Sequence, residues 1–249
     1  MFQKLSWRRR SLLVMFIMFT SQATGVNGIV NYLLPIIAGL GFEGVKPLLI
    51  YGVYAIVGTS FVFVSCFTVD HYGRRRMFLI GFTALAVILL AEGLLQWKYM
   101  GTPNKAGNIG CLVFIHLFIV LYQLIDGPSF IWVSEILPTT IRAKGIGLSM
   151  FAYFVGFITF SAPGPTAFRN IKWGTYLVFM GLSLICWVMV YLWIPETKGL
   201  PIEEIGELFG DTVVVYLTKD RLGIVEEKEM GESIATEVVL VAEVGKSKV

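Results

Sequence analysis

Six runs of mostly apolar residues divide the chain, at 11–38, 48–69, 77–96, 108–133, 146–168 and 175–194. Each is close to the ~20 residues that carry a helix across a hydrocarbon core of about 30 Å. None alternates polar and apolar positions with the period of a strand, so a closed β-barrel is not expected. In lipid, only helices and closed barrels satisfy their own backbone. The pattern therefore predicts an all-α membrane protein, a bundle of six transmembrane helices.

The first run is not uniformly apolar. After "SLLVMFIMF" comes "SQATGVNGIVNYLLP", Ser21 to Pro35, which places Gln22, Thr24, Asn27, Asn31, Gly25 and Gly28 at its centre. Glycines loosen a helix, and a broken helix is tolerated at that depth where it lines a cavity. Gln22 and Asn27 each offer donors and acceptors, which suits a neutral polyol. Hydrogen bonding between helices would use the same side chains, and the residues alone do not separate the two uses.

Charge adds orientation. Lys4, Arg8–Arg10, Arg74–Arg76, Arg142 and Lys144 fall on one side of the alternating loops, against Lys46, Lys98, Lys105, Arg169 and Lys172 on the other. Basic loops face the cytosol, so both termini are expected there. The three arginines at 8–10 before an apolar stretch also mimic a secretory leader, but five further spans follow, and a span is the expected reading. The net charge of +3 hides a division: residues 1–194 hold 14 basic and 5 acidic residues, and residues 195–249 hold 6 and 12. The basic excess is topological, so nucleic acid is not an expected partner, whereas the lipid bilayer is. Residues 1–205 are expected to form the membrane domain and 206–249 a cytosolic tail without fixed structure, on the strength of sequences such as "VEEKEMGESIATE".

Composition fits this picture, with 56% apolar and 15% charged residues against roughly 25% charged in soluble domains. Cys66, Cys111 and Cys186 lie in three different spans without metal-ligand spacing and are expected to pack. His116 lies inside the fourth span, facing a cavity or packed with its ring bonded. No nucleophile–base grouping, paired carboxylates or phosphate-binding glycine loop is present, so neither an enzyme nor a cofactor or metal is expected.

Three short motifs sit at helix ends: "DHYGRRR" (Asp70–Arg76), "SEILPTTIRAKG" (Ser134–Gly145) and "PETKGLPIEEI" (Pro195–Ile205). In order and spacing they resemble the cytosolic signatures of the sugar-porter family of the major facilitator superfamily: D/E-x-x-G-R-R, E-x-x-P-x-x-x-R and P-E-T-K-G-x-x-x-E-E-I. The centre of the first run resembles that family's seventh-helix motif, and the style resembles fungal members.

The resemblance implies the second six-helix half of a transporter, with the first half as a missing partner, a sugar or polyol as substrate, and protons left open as coupling ion. Met1 falls where the linker between halves would end, and a truncated record, a split gene or a degenerate remnant would each account for that. By resemblance, Gln22, Asn27, Asn31 and Tyr32 contact substrate. Asp126, Phe130 and Tyr153 line the same path, and Asp70, Arg74, Arg75, Glu135 and Arg142 form a cytosolic gate. Several positions depart from the family pattern: Ser21 replaces a Gln, Gly58 an Asn, Tyr122 a Glu, and Tyr153 and Phe154 an Asn-Trp pair. Phe130 stands where a Trp is usual, with Trp132 close by.

Asp126 is unexpected, since a carboxylate at the bilayer centre costs about 2.5–3.5 kcal/mol on insertion scales. It reads substrate hydroxyls, titrates with a coupling proton, or caps a break made by Gly127-Pro128. The implied function is alternating-access sugar or polyol transport, with a non-transporting sugar sensor as the alternative.

Overall fold

A computed structural model of the chain describes residues 4–102, 104–200 and 204–209. Residues 4–199 form one compact unit, and it holds nine α-helices. They are α1 (Leu5–Ala23), α2 (Val26–Asn31), α3 (Leu33–Gly39), α4 (Lys46–Tyr72), α5 (Arg74–Tyr99), α6 (Lys105–Ile136), α7 (Arg142–Ser161), α8 (Gly164–Asn170) and α9 (Gly174–Trp193). A separate short 3₁₀ stretch, Glu204–Phe209, belongs to the second unit. The expected tail beyond it lies outside the described residues.

Six segments are long and apolar enough to cross a membrane, and they coincide with the six expected runs. The protein is a multi-pass membrane protein. Most of the helices extend a few residues past the predicted boundaries, because Lys, Arg and Asn at the ends still continue the helical hydrogen bonds, while α9 ends at Trp193, one residue short.

Helix α5 packs between α6 and α9, α1 lies along α7, and α4 lies along α6. Spacing explains the seams. Val14, Ile17 and Met18 recur at helical period on α1, as do Phe78, Phe82, Leu85 and Leu89 on α5, and all are buried. Hydrophobicity does not drive helices together in lipid, so close packing has to, and small residues allow it. A methyl group at Gly81 would come within 2.7 Å of Ile125, and one at Gly156 within 3.1 Å of the Phe19 carbonyl.

The first span is broken, as expected, but in two places. Gly25 adopts φ +81°, a left-handed conformation that L side chains rarely take, so α1 ends at Ala23 and α2 restarts at Val26. A second interruption at Tyr32 (φ −107°, ψ 6°) starts α3, whose first turn contains Pro35. Proline is suited to a first turn because its missing N–H has no intrahelical partner there. The fifth span is interrupted after Ser161, where Pro163 and Pro165 flank the start of α8. These two interrupted spans meet, since a Cβ on Gly164 would lie 3.0 Å from the Gly28 Cα.

The expected break at Gly127-Pro128 is not found. Helix α6 runs unbroken through Pro128. Hydroxyls occupy nearby carbonyls instead: Ser129 Oγ donates to Ile125 O at 2.7 Å, and Ser65 Oγ donates to Gln123 O at 2.7 Å. Asp126 therefore caps nothing.

The Gly25 geometry makes a stability prediction. Gly25→Ala forces a left-handed alanine, at about 1–2 kcal/mol, and drives its methyl within 2.3 Å of the Phe179 ring, where overpacking adds about 1–3 kcal/mol. Gly52→Ala in α4 meets nothing within 4 Å and should be neutral or stabilising by about 0.5–1 kcal/mol. Thermal unfolding of the two purified variants checks this: the midpoint should fall for the first only.

Candidate functional site

Around the break in the first span, the polar side chains sort into two groups. Thr20, Ser21 and Thr24 turn their hydroxyls back onto carbonyls three residues earlier, at 2.9–3.0 Å. Thr24 satisfies the Ser21 carbonyl at the helix end, while Thr20 and Ser21 share carbonyls inside the helix. The amides of Gln22 and Asn27 reach other side chains, and Gln22 Nε2 also donates to Ser21 Oγ at 3.2 Å.

Asn27 Nδ2 donates to Gln22 Oε1. Gln22 Nε2 donates to the Tyr122 hydroxyl at 3.3 Å, and Tyr122 donates to Asp126 Oδ1 at 2.9 Å. All donors run one way, from α2 through α1 to α6, and end on a carboxylate. Such a chain polarises along its length. Gln22 and Tyr122 are buried, while Asn27 and Asp126 at its two ends are half-buried. The ends are thus the parts open to a ligand. Nearby, Phe130 of α6 and Tyr153 of α7 lie ring to ring at 5.6 Å, with Phe154 edge-on to Tyr153 at 5.7 Å. Phe130 and Phe154 are exposed on this half.

Of the expected substrate residues, Gln22, Asn27 and Asp126 are joined in one chain, and Phe130 and Tyr153 form a ring pair. Asn31 and Tyr32 are held differently. Asn31 donates through Nδ2 to Ser161 Oγ, tying the end of α2 to the end of α7. Tyr32 stacks on Phe168 of α8 at 5.3 Å with the rings 8° from parallel. Gly58 leaves a space occupied by Ile119, which a Cβ there would meet at 2.9 Å. Trp132 is fully buried, edge-on to Phe78. His116 packs edge-on to Tyr54 at 5.8 Å, its Nδ1 2.7 Å from Leu112 O.

At the opposite end of the membrane from the α2–α3 tip, the three motifs converge. Arg74 reaches Glu135 twice, Nε to Oε2 at 3.0 Å and Nη2 to Oε1 at 2.5 Å. Nη2 also pairs with Asp70 at 2.9 Å. Gly73 adopts φ +90°, and Glu196 fills the space beside it, accepting from the backbone N–H groups of Arg74, Thr197 and Lys198. Thr197 Oγ1 donates to Glu135 Oε2 at 3.2 Å. Arg75 and Arg142, expected in the same cluster, stand apart among the described residues. Arg75 donates to Tyr191 O at 2.7 Å with its guanidinium over the Tyr191 ring, and Arg142 donates to Leu137 O at 3.3 Å. Their long side chains reach helix-end carbonyls that have no intrahelical partner.

Three features escape the sequence reading. Glu196 and Thr197 belong to a motif that was recognised, but their contact with Arg74 and Glu135 is 60 or more residues away in sequence. Phe179 on α9 is the ring against which Gly25 and Gly28 pack, and nothing distinguishes it from other apolar residues of its span. Glu92, a carboxylate in the middle of an apolar run, is a visible signal that the helical pattern passes over. It accepts from Gln96 Nε2 at 2.5 Å, which also reaches the Tyr176 hydroxyl at 2.7 Å.

Comparison with known proteins places this arrangement. The family model for sugar (and other) transporters matches residues 1–209. The MFS-type transporter criB of Aspergillus cristatus is 29% identical over 217 residues, 86% of this chain and 42% of the relative. Sugar transport protein 11 of Arabidopsis thaliana is 32% identical over 209 residues, 78% of this chain and 39% of the relative. The H(+)/hexose cotransporter 2 of Parachlorella kessleri is 32% identical over 197 residues, covering 76% and 36%. Among solved structures, the D-xylose-proton symporter superposes with a TM-score of 0.68 at 20% identity, over 77% of this chain and 44% of that one. A double-tryptophan mutant of XylE gives 0.72 at 20% identity, over 81% and 43%. The fold is shared with these transporters, and the chain spans less than half the length of the curated relatives it matches. With its family model matched from residue 1 to residue 209, the chain belongs to the sugar (and other) transporter family.

Proposed function

We propose that this chain forms one wall of an alternating-access pathway for a sugar or polyol, facing a second six-helix half. The observation that carries the proposal is the donor chain Asn27–Gln22–Tyr122–Asp126 at the break of the first span, buried in its middle and open at both ends. A neutral polyol needs donors and acceptors presented together without a strong net charge, and amide side chains supply both. Phe130 and Tyr153 offer aromatic faces to the apolar side of a sugar ring. Asn31 and Tyr32 act further out, as the tie that holds the α2–α3 segment to α7 and α8.

In the same proposal the chain is the second half, which motif order supports, both termini lie in the cytosol, which the basic loops support, and the plasma membrane is the site of action. The names of two similar proteins, a proton–hexose cotransporter and a xylose–proton symporter, support a proton as coupling ion. In the same proposal, Asp70, Arg74 and Glu135, joined by Glu196 and Thr197, close the cytosolic side. Arg75 and Arg142 fasten adjacent helix ends instead.

The substrate role is checked with Asn27→Ala in the two-half transporter. Each lost hydrogen bond to a neutral hydroxyl is worth about 0.5–1.5 kcal/mol, so the half-saturation concentration should rise several-fold to about tenfold at normal surface expression. Uptake indistinguishable from the parent at all sugar concentrations would return Asn27 to a packing role.

The gate makes a ranked prediction. The Glu135 side chain is 20% exposed and pairs twice with Arg74, whereas Asp70 is 73% exposed. Exposed pairs contribute about 0–1 kcal/mol. Glu135→Gln should therefore raise cytosolic labelling of a cysteine placed in the cavity, and Asp70→Asn should do so much less. Equal labelling in both variants and the parent would reduce the cluster to a topology signal.

A further inference from the structure

A cavity lies at the end of the bundle away from the Arg74 cluster, beside the α3 tip. It measures 720 Å³ and is bounded by the end of α3, the end of α5, the end of α8 and the start of α9. Its floor is rigid. Phe168 is held between Tyr32, stacked at 5.3 Å, and Tyr176, edge-on at 5.3 Å. Gln96 is 2% exposed and fixed by its bonds to Glu92 and Tyr176. The walls are apolar, from Pro35, Ile36 and Met100.

The rim is chemically one-sided. Arg169 and Lys172 line it and no acidic residue does. Glu92, the carboxylate beneath, sits behind Gln96 and does not line the cavity. Lys172 is held at φ +53°, the one non-glycine residue with positive φ among the described residues. A lysine is strained there. Beside the two cations stand Trp97 and Trp173, 6.1 Å apart and both exposed. Tryptophan favours the headgroup level of a bilayer.

Two cations over an apolar slot, at the depth marked by tryptophans, match an amphiphile with an anionic head. A neutral sugar would need several neutral hydrogen-bonding groups, and Gln96 is the one amide in the lining. Arginine and lysine hold a phosphate through charge-assisted hydrogen bonds, and at headgroup depth a lipid phosphate is within their reach. We propose that this cavity binds the phosphate headgroup of an anionic phospholipid, with Arg169 and Lys172 on the phosphate and an acyl chain against Pro35, Ile36 and Met100.

The site is separate from the Asn27–Asp126 chain, so the test does not depend on sugar transport. The purified 249-residue chain is equilibrated with phosphatidylglycerol or phosphatidylcholine in detergent, and retained lipid is counted by native mass spectrometry. Phosphatidylglycerol should be retained at several-fold higher occupancy than phosphatidylcholine. The double variant Arg169→Gln/Lys172→Asn should lose that preference, asparagine being chosen because it tolerates positive φ. The control Lys46→Gln/Lys105→Gln removes two cations that line no part of the cavity and should keep it. Arg169→Lys, which preserves the charge, should keep most of it. Loss of preference in the control as well, retention in the double variant, or equal retention of the two lipids by the parent would each overturn the assignment. So would displacement of the lipid by inorganic phosphate at matched concentration, which would make the cavity a site for the free anion.

Discussion

A membrane interior offers no water to a broken helix, so every interruption of the backbone must be satisfied by the protein itself. The interruption at Gly25 sets much of what surrounds it. The Gly25 N–H returns to Gln22 O at 3.1 Å and the chain resumes with Ile29 N–H on Gly25 O at 2.9 Å. Thr24 covers the Ser21 carbonyl of the last turn. The left-handed turn presses against Phe179, and Gly28 then nests against Gly164, where the fifth span is interrupted too. Once hydroxyls have absorbed the backbone demand, the longer amides of Gln22 and Asn27 are left to reach sideways. A polar chain ending on Asp126 follows from that division.

The two ends of the bundle are built on different principles. At the Arg74 end, charged side chains from α4, α5, α6 and the segment after α9 interlock, and two-point Arg–carboxylate contact fixes geometry as well as energy. Such a cluster is strong when closed and is disrupted by small separations, which suits a gate. At the α3 tip, aromatic rings and one bonded amide make a stiff floor under exposed cations. Between the ends, the helix seams close tightly at Gly81 and Gly156.

Much of this was legible in the sequence, and the reasons are specific. The six spans could be read because apolar length is what a bilayer demands. The break near Gly25 could be read because amides and glycines in mid-membrane have few other uses. The interruption at Tyr32 could not, because it depends on Phe168 and on Pro35 restarting the helix. Pro128 predicted a break, yet α6 runs on through it, because a proline inside a helix can kink it without ending it. The charged motifs were recognisable, but the membership of the cluster they form was not: Arg75 and Arg142 looked equivalent to Arg74, and only tertiary placement sends them to Tyr191 O and Leu137 O. Glu196 entered through a backbone turn, against a glycine that leaves room for it. Glu92 stands out in its apolar run, but its partners Gln96 and, through it, Tyr176 are known only once α9 is placed.

The central claim is that the amides at the break touch the transported molecule. Side-chain ¹⁵N resonances of Gln22 and Asn27, recorded in the assembled two-half transporter during titration with a compound it carries, test this directly. Gln96, bonded to Glu92 and Tyr176 at a separate site, serves as the internal reference. The account predicts saturable shifts of Gln22 and Asn27 together, at the concentrations that saturate uptake, with Gln96 unmoved. A carried compound that leaves Gln22 and Asn27 unshifted through saturation would contradict it.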